Sequence, residues 1–142
     1  MTHTFDLTNK VALITGASKG IGEAIARLFA AHGAKVVISS RKQADLDQLA
    51  LQIQAEGGDV TGIAAHAGDM DQLKQLVEKT ITLYGGIDIL VNNAATNPVY
   101  GPVTDCDETS FDKIMQVNVK APFELSKLVY PVMKSRGGGS II

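Results

Sequence analysis

One cysteine, Cys106, is the only thiol in 142 residues, which excludes an internal disulfide and suits a reducing compartment. No apolar run approaches the roughly 20 residues needed to span a bilayer. The opening stretch, MTHTFDLTNK, holds no apolar segment of the kind that directs secretion, so the expected location is cytoplasmic. Charge of either sign is not in excess: a net value of −2 gives no reason to expect nucleic acid or an anionic membrane as partner. Cys106 and the histidines His3, His32 and His66 lack ligand spacing, so no metal is expected. Repeats, low-complexity segments and interdomain linkers are also missing. What remains is an ordinary balance, 45% apolar and 20% charged residues, in a chain long enough to bury a real core.

Short apolar runs alternate with amphipathic stretches. Val11 to Thr15, closed by Gly16, suits a strand buried on both faces. From Ile21 the period changes, and Ile21, Ala24, Ile25, Leu28 and Phe29 mark one face of a helix that stops at Gly33. Lys35 to Ser40 predicts a second strand; Leu46, Leu49 and Ile53 a second helix; Val60 to Ala65 a weaker strand. Leu73, Leu76, Val77 and Ile81 mark the next helix, and Ile87 to Val91 a fourth strand. A loop with Pro98 and Pro102 leads to a long helix near Asp107 to Ser135, with an apolar face of Phe111, Ile114, Met115, Ala121, Leu125, Leu128, Val129 and Val132. The ending GGGSII predicts a glycine loop and the opening of a buried strand. This order implies βαβ units: a doubly wound parallel sheet of Rossmann type in three α/β/α layers, one domain over residues 1–142, incomplete on its C-terminal side.

Between the first strand and the first helix lies TGASKGIG, Thr15 to Gly22. That is the context a dinucleotide turn needs: glycines let the backbone turn sharply and let a pyrophosphate approach, and the helix start offers free N–H groups. The spacing is G-x-x-x-G-x-G, and without a Gly-Lys-Ser/Thr ending it is not a P-loop. A tight strand–helix turn with no ligand is the alternative. Asn118 stands out by itself, an amide on the apolar face of the last helix beside Ile114, Met115 and Ala121. It is either a satisfied core amide or an active-site group.

TGASKGIG resembles the cofactor turn of the short-chain dehydrogenase/reductases. Asp69 after the third strand, Asn92-Asn93-Ala94-Ala95 after the fourth and Asn118 follow in the family's order over essentially the whole chain. SSRKQ (residues 39–43) and GGIDILVNNAATNP (85–98) further resemble the NADP(H)-dependent carbonyl and retinal reductase branch.

The resemblance implies that Gly16, Ser18, Lys19, Gly20, Ile21 and Gly22 wrap the pyrophosphate and adenosine ribose. An acidic residue ending the second strand would take the ribose 2′-OH and repel a 2′-phosphate. Ser39-Ser40-Arg41-Lys42 stands there instead, and with Lys19 it implies NADP(H) preferred over NAD(H); the alternative is a pair of solvated charges. Asp69 would accept from the adenine amino group with Met70 beside the ring, though it also suits a helix N-cap. Asn93, Ala94 and Ala95 would line the cofactor, Ala95 where the family usually has glycine, while Asn92 ties neighbouring strands. Asn118 would be the active-site asparagine that bends its helix and holds a water in a proton relay, a bend with which Pro122 is compatible.

The family's tyrosine–lysine pair and serine lie beyond the strand that begins here at Ser140. Tyr130 and Lys134 do form a Y-x-x-x-K, but the phenol falls about 18 Å along the helix from Asn118, away from the cofactor edge. The expectation is therefore the N-terminal, cofactor-binding portion of an oxidoreductase of carbonyl or alcohol substrates, inactive as 142 residues alone. A homo-oligomer is expected, since relatives are often dimers or tetramers. The rival is a noncatalytic nucleotide-binding or self-assembling module.

Overall fold

The computed structural model describes residues 5–142; Met1 to Thr4, with His3 among them, lie outside the described residues. Five strands, β1 (Val11–Thr15), β2 (Lys35–Ser39), β3 (Asp59–Gly62), β4 (Ile89–Val91) and β5 (Ser140–Ile141), form one sheet in the order β3-β2-β1-β4-β5. Every pairing is parallel. Parallel neighbours need crossovers, and helices supply them: α1 (Gly20–Ala31), α2 (Gln43–Ala55), α3 (Met70–Tyr84), then α4 (Glu108–Met115) running through a π-helical turn (Gln116–Lys120) into α5 (Ala121–Ser135).

Side chains alternate along each strand, so both faces of the sheet are covered. Ile14, Val36 and Ile38 pack with Ala26, Leu46 and Ile53 of α1 and α2. Leu13, Val37 and Leu90 pack with Leu73, Leu76, Leu125 and Val129 of α3 and α5. The strand order reverses at β1: β2 leaves to one side, β4 to the other. That reversal opens a crevice beyond the carboxyl ends of the strands, where open α/β sheets bind ligands.

Several local expectations are corrected. The face that α1 turns to the sheet is Gly22, Ala26 and Ala30, with Ile25 and Phe29 at its margin, while Ile21 is 74% exposed and Leu28 is exposed. Small residues one turn apart let the helix come close, which pushes the larger side chains outward. The last helix differs similarly: α4 buries no residue, Phe111 and Met115 are exposed, and the buried stripe runs Val117, Ala121, Leu125, Val129 and Met133. The extra residue of the π turn rotates the helix before it relative to the helix after it, so one continuous stripe does not form. Ser140-Ile141-Ile142, expected to be buried, is exposed because β5 has a neighbour on one side only. Asn92 joins β4 to that segment through its backbone, donating its N–H to the Ile142 carbonyl at 2.8 Å; its side-chain oxygen has no partner.

Candidate functional site

The glycines of the turn after β1 have different duties. Gly16 has φ +62°, and a Cβ there would lie 2.8 Å from the Ala94 Cα. A Cβ on Gly22 would lie 2.5 Å from the Gly16 carbonyl oxygen. Those two are required by contact with the protein itself. Gly20, at φ +61°, has nothing within 4 Å of where its Cβ would be, so the turn is bare on that side. Lys19, the N-cap of α1, makes no side-chain cap bond, which leaves first-turn N–H groups for whatever approaches.

The loop after β4 is sewn to this turn. Asn93 Nδ2 donates to the Gly16 carbonyl at 3.0 Å, and the Ala94 N–H donates to Thr15 Oγ1 at 3.1 Å. Two residues on, Asn118 grips the same loop: Oδ1 accepts the Thr96 N–H and Nδ2 donates to the Thr96 carbonyl, both at 2.8 Å. Asn118 is thus a satisfied amide, half-buried rather than enclosed by an apolar face. The expected bend takes the form of the π turn, closed by the Ala121 N–H on the Gln116 carbonyl. Pro122 lies just past it and has no N–H to give to the carbonyl four residues back, that of Asn118.

These elements enclose a cleft of about 240 Å³. Gly16, Lys19, Ser40, Arg41, Asn93, Ala94 and Ala95 line it, all from the expected set. Ser18, Gly20, Ile21, Gly22, Asp69, Met70 and Asn118 are not on its wall. Ser18 faces a separate recess together with Glu23, which Arg27 pairs at 3.0 Å, and Asp45. Asp69 is a helix cap: one carboxylate oxygen accepts the Gln72 N–H at 3.1 Å, the other accepts Gln72 Nε2 at 2.9 Å. Met70 packs at the margin of the α3–α5 core.

Two ionisable lining residues lie outside the set expected from the sequence, His66 and Lys113. His66 follows β3 in a segment that keeps bonding to β2, with the Ala65 N–H on the Ser40 carbonyl at 2.9 Å. Its signal was its place just past a strand at the carboxyl edge. Lys113 comes from the last turn of α4, where no motif marks it.

Lys19, Arg41 and Lys113 line the cleft and no carboxylate does. None of the three charged side-chain ends has an ion-pair or hydrogen-bond partner among the described residues. Ser40 Oγ is buried without a partner on the same wall. Unpaired cations and an orphan hydroxyl on one wall suit an anion with hydrogen-bonding groups. Among the described residues no cluster of three or more His, Cys, Asp or Glu suits a metal ion, and no helix is long and apolar enough to cross a membrane.

A family model described as short chain dehydrogenase matches residues 10–142. The chain belongs to the short-chain dehydrogenase family. It is 49% identical over 142 residues to dehydrogenase/reductase SDR family member 4 of Homo sapiens, covering all of this chain and 51% of the relative. The Sus scrofa protein of the same name is 49% identical over 136 residues, 96% of this chain and 49% of the relative. The chain therefore spans about half the length of the curated relatives it matches. Among solved structures, a metagenomic short-chain oxidoreductase in complex with NADP superimposes with TM-score 0.90 at 34% identity, over 94% of this chain and 61% of that one. A 7α-hydroxysteroid dehydrogenase complexed with NADH and 7-oxo glycochenodeoxycholic acid gives TM-score 0.91 at 37% identity, over 96% of this chain and 52% of that one. The fold of this family member is the Rossmann-type sheet, with its cleft at the crossover edge.

Proposed function

We propose that this chain is the nucleotide-binding domain of an NADP(H)-dependent oxidoreductase acting on carbonyl or alcohol substrates. The observation that carries the reading is the end of β2: Ser40 and Arg41, where a NAD(H) enzyme would place an acid, line the cleft together with Lys19. Relatives of this fold hold either cofactor, one NADP and another NADH, so the choice rests on these side chains. Arg41 offers a planar fork to phosphate oxygens, Lys19 a mobile point charge, and Ser40 Oγ an unspent hydrogen bond. When bound, the nicotinamide supplies or receives the hydride. The bare side of Gly20 and the first-turn N–H groups of α1 suit its pyrophosphate.

The Asn118 side chain is committed to Thr96, so a water in a proton relay would meet instead its backbone carbonyl, to which Pro122 four residues on has no N–H to give. Tyr130 is 61% exposed and no tyrosine lines the cleft among the described residues. We infer that these residues bind the nucleotide without turning over substrate by themselves. The exposed apolar residues Phe111, Met115, Val119 and Phe123 favour a homo-oligomer built on the α4–α5 face.

The test is titration of the purified chain with NADPH and NADH, and the same with Arg41→Ala. Loss of one charged hydrogen bond should weaken NADPH roughly 10- to 150-fold and leave NADH nearly unchanged. Equal affinity of the unmutated, folded chain for the two nucleotides overturns the preference.

A further inference from the structure

The π turn carries two amides that reach in different directions. Asn118 grips the loop after β4, whereas Gln116 Nε2 donates to the Gly68 carbonyl, 2.9 Å away, in the loop after β3. Gly68 is held at its other end too, its N–H donating to His66 Nδ1 at 2.9 Å. A Cβ on Gly68 would stand 3.0 Å from His66 Cε1 and 3.6 Å from Gln116 Cγ, so this residue lies in contact with both the imidazole and the Gln116 chain. His66 lines the cleft. Because Nδ1 accepts a backbone N–H, the neutral imidazole carries its proton on Nε2 and has a donor to offer there. Ala65, beside it, is bonded to Ser40, which puts His66 near the Arg41 wall of the cleft.

We propose that Gln116 is a positioning residue for nucleotide binding: it fixes Gly68 and, through Gly68, the tautomer and orientation of His66, whose Nε2–H donates to an acceptor on the adenosine half of the ligand. This rests on the nucleotide reading of the cleft. The π turn is then one brace with two arms, Asn118 setting the wall after β4 and Gln116 the wall after β3. An α-helical turn would have one residue fewer and would not aim both amides at those loops.

The test is a double-mutant cycle on ligand affinity. Dissociation constants for NADPH and for 2′,5′-ADP, which carries the adenosine half alone, are measured for the unmutated chain, Gln116→Leu, His66→Ala and the double variant. Each single variant should weaken both ligands roughly 3- to 10-fold. If Gln116 acts through His66, the double variant binds no more weakly than the worse single one. Losses that multiply in the double variant overturn the proposal, because a general loosening of the fold would behave that way. So does a Gln116→Leu variant that binds within about twofold of the unmutated chain. Should Gln116→Leu fail to fold, Gln116→Glu, which keeps the shape and lacks the Nε2 donor, carries the same expectation. An unmutated chain that binds neither ligand brings down the nucleotide reading and this inference together; binding by that chain with no effect at Gln116 brings down the inference alone.

Discussion

The two ends of the sheet are built from the same strands and treat polar groups in opposite ways. At the amino edge they saturate one another. The Asp88 carboxylate accepts the Val11 N–H at 2.8 Å, Arg136 Nε at 2.9 Å and Arg136 Nη2 at 3.0 Å. Nearby, the Tyr84 hydroxyl donates to Asp59 at 2.7 Å, lies 3.1 Å from Thr61 Oγ1, and has Lys35 over its ring. At the carboxyl edge Lys19, Arg41, Lys113 and Ser40 Oγ are left without partners among the described residues. The amino edge pairs its charges within the fold, whereas the carboxyl edge spends its amides on the loops and leaves its cations and one hydroxyl unpaired. Substitutions at the amino edge should therefore move stability, and those at the carboxyl edge should move affinity.

The largest effect is expected at Asp88. Asp88→Ala leaves a buried backbone N–H and a guanidinium without their acceptor, tying β1, β4 and the segment before β5 less firmly. A fully buried pair would cost about 3–5 kcal/mol; with Arg136 partly exposed, about 2–4 kcal/mol is expected by urea denaturation. Burial pushes the Asp88 carboxyl up, but the Arg136 and Val11 hydrogen bonds and the charges of Arg136 and Lys10 outweigh it, so its pKa lies below the ordinary aspartate value. A carboxyl depressed in the folded state stabilises above the unfolded value near 4 and loses that contribution as pH falls through its lower folded value. Acid unfolding below about pH 4 should accordingly be steeper for the unmutated chain than for Asp88→Asn. A variant with parental stability and an altered NADPH affinity would break the division between the edges.

Tyr84 sharpens the same contrast at the other end of the pH scale. Burial, then the hydrogen bond to Asp59, push its hydroxyl up to about 12 against a smaller opposing pull from Thr61. A phenol raised in the folded state stabilises fully below its unfolded value near 10, and that contribution disappears as pH rises through the folded value. Tyr84→Phe should cost about 1 kcal/mol at neutral pH and flatten the alkaline loss of stability. An unchanged alkaline profile would mean that the Tyr84–Asp59 bond contributes nothing.

The carboxyl edge was the more legible of the two. Glycine, asparagine and a basic pair after a strand carry chemistry that can be named from residue type and spacing, and Gly16, Arg41 and Asn93 do meet at one cleft. An amide amid apolar neighbours betrayed Asn118, and Asp69 before a periodic run betrayed a cap. The amino edge left no such trace, because Asp88 and Arg136 are 48 residues apart and each reads as an ordinary surface charge. The π turn was equally silent: one inserted residue leaves the local composition unchanged yet rotates Phe111 and Met115 off the core. Lys113 reaches the cleft only through the packing of α4, while His66 is placed there by the segment that follows β3.

Ser40 gives the smallest effect and the most diagnostic one, because two measurements should move in opposite directions. Its hydroxyl is buried without a partner, a desolvated group that a nucleotide-free fold would be better without. Ser40→Ala removes that group without opening a cavity of any size, so stability without nucleotide should hold or rise by up to about 1 kcal/mol. With NADPH bound, the same hydroxyl has an acceptor or donor to meet, and its loss should weaken binding roughly 3- to 10-fold. A side chain that served the fold would show the reverse, a less stable chain with parental affinity. That result at Ser40 would mean the polar groups of the carboxyl edge are not held in reserve, and the contrast with Asp88 would disappear.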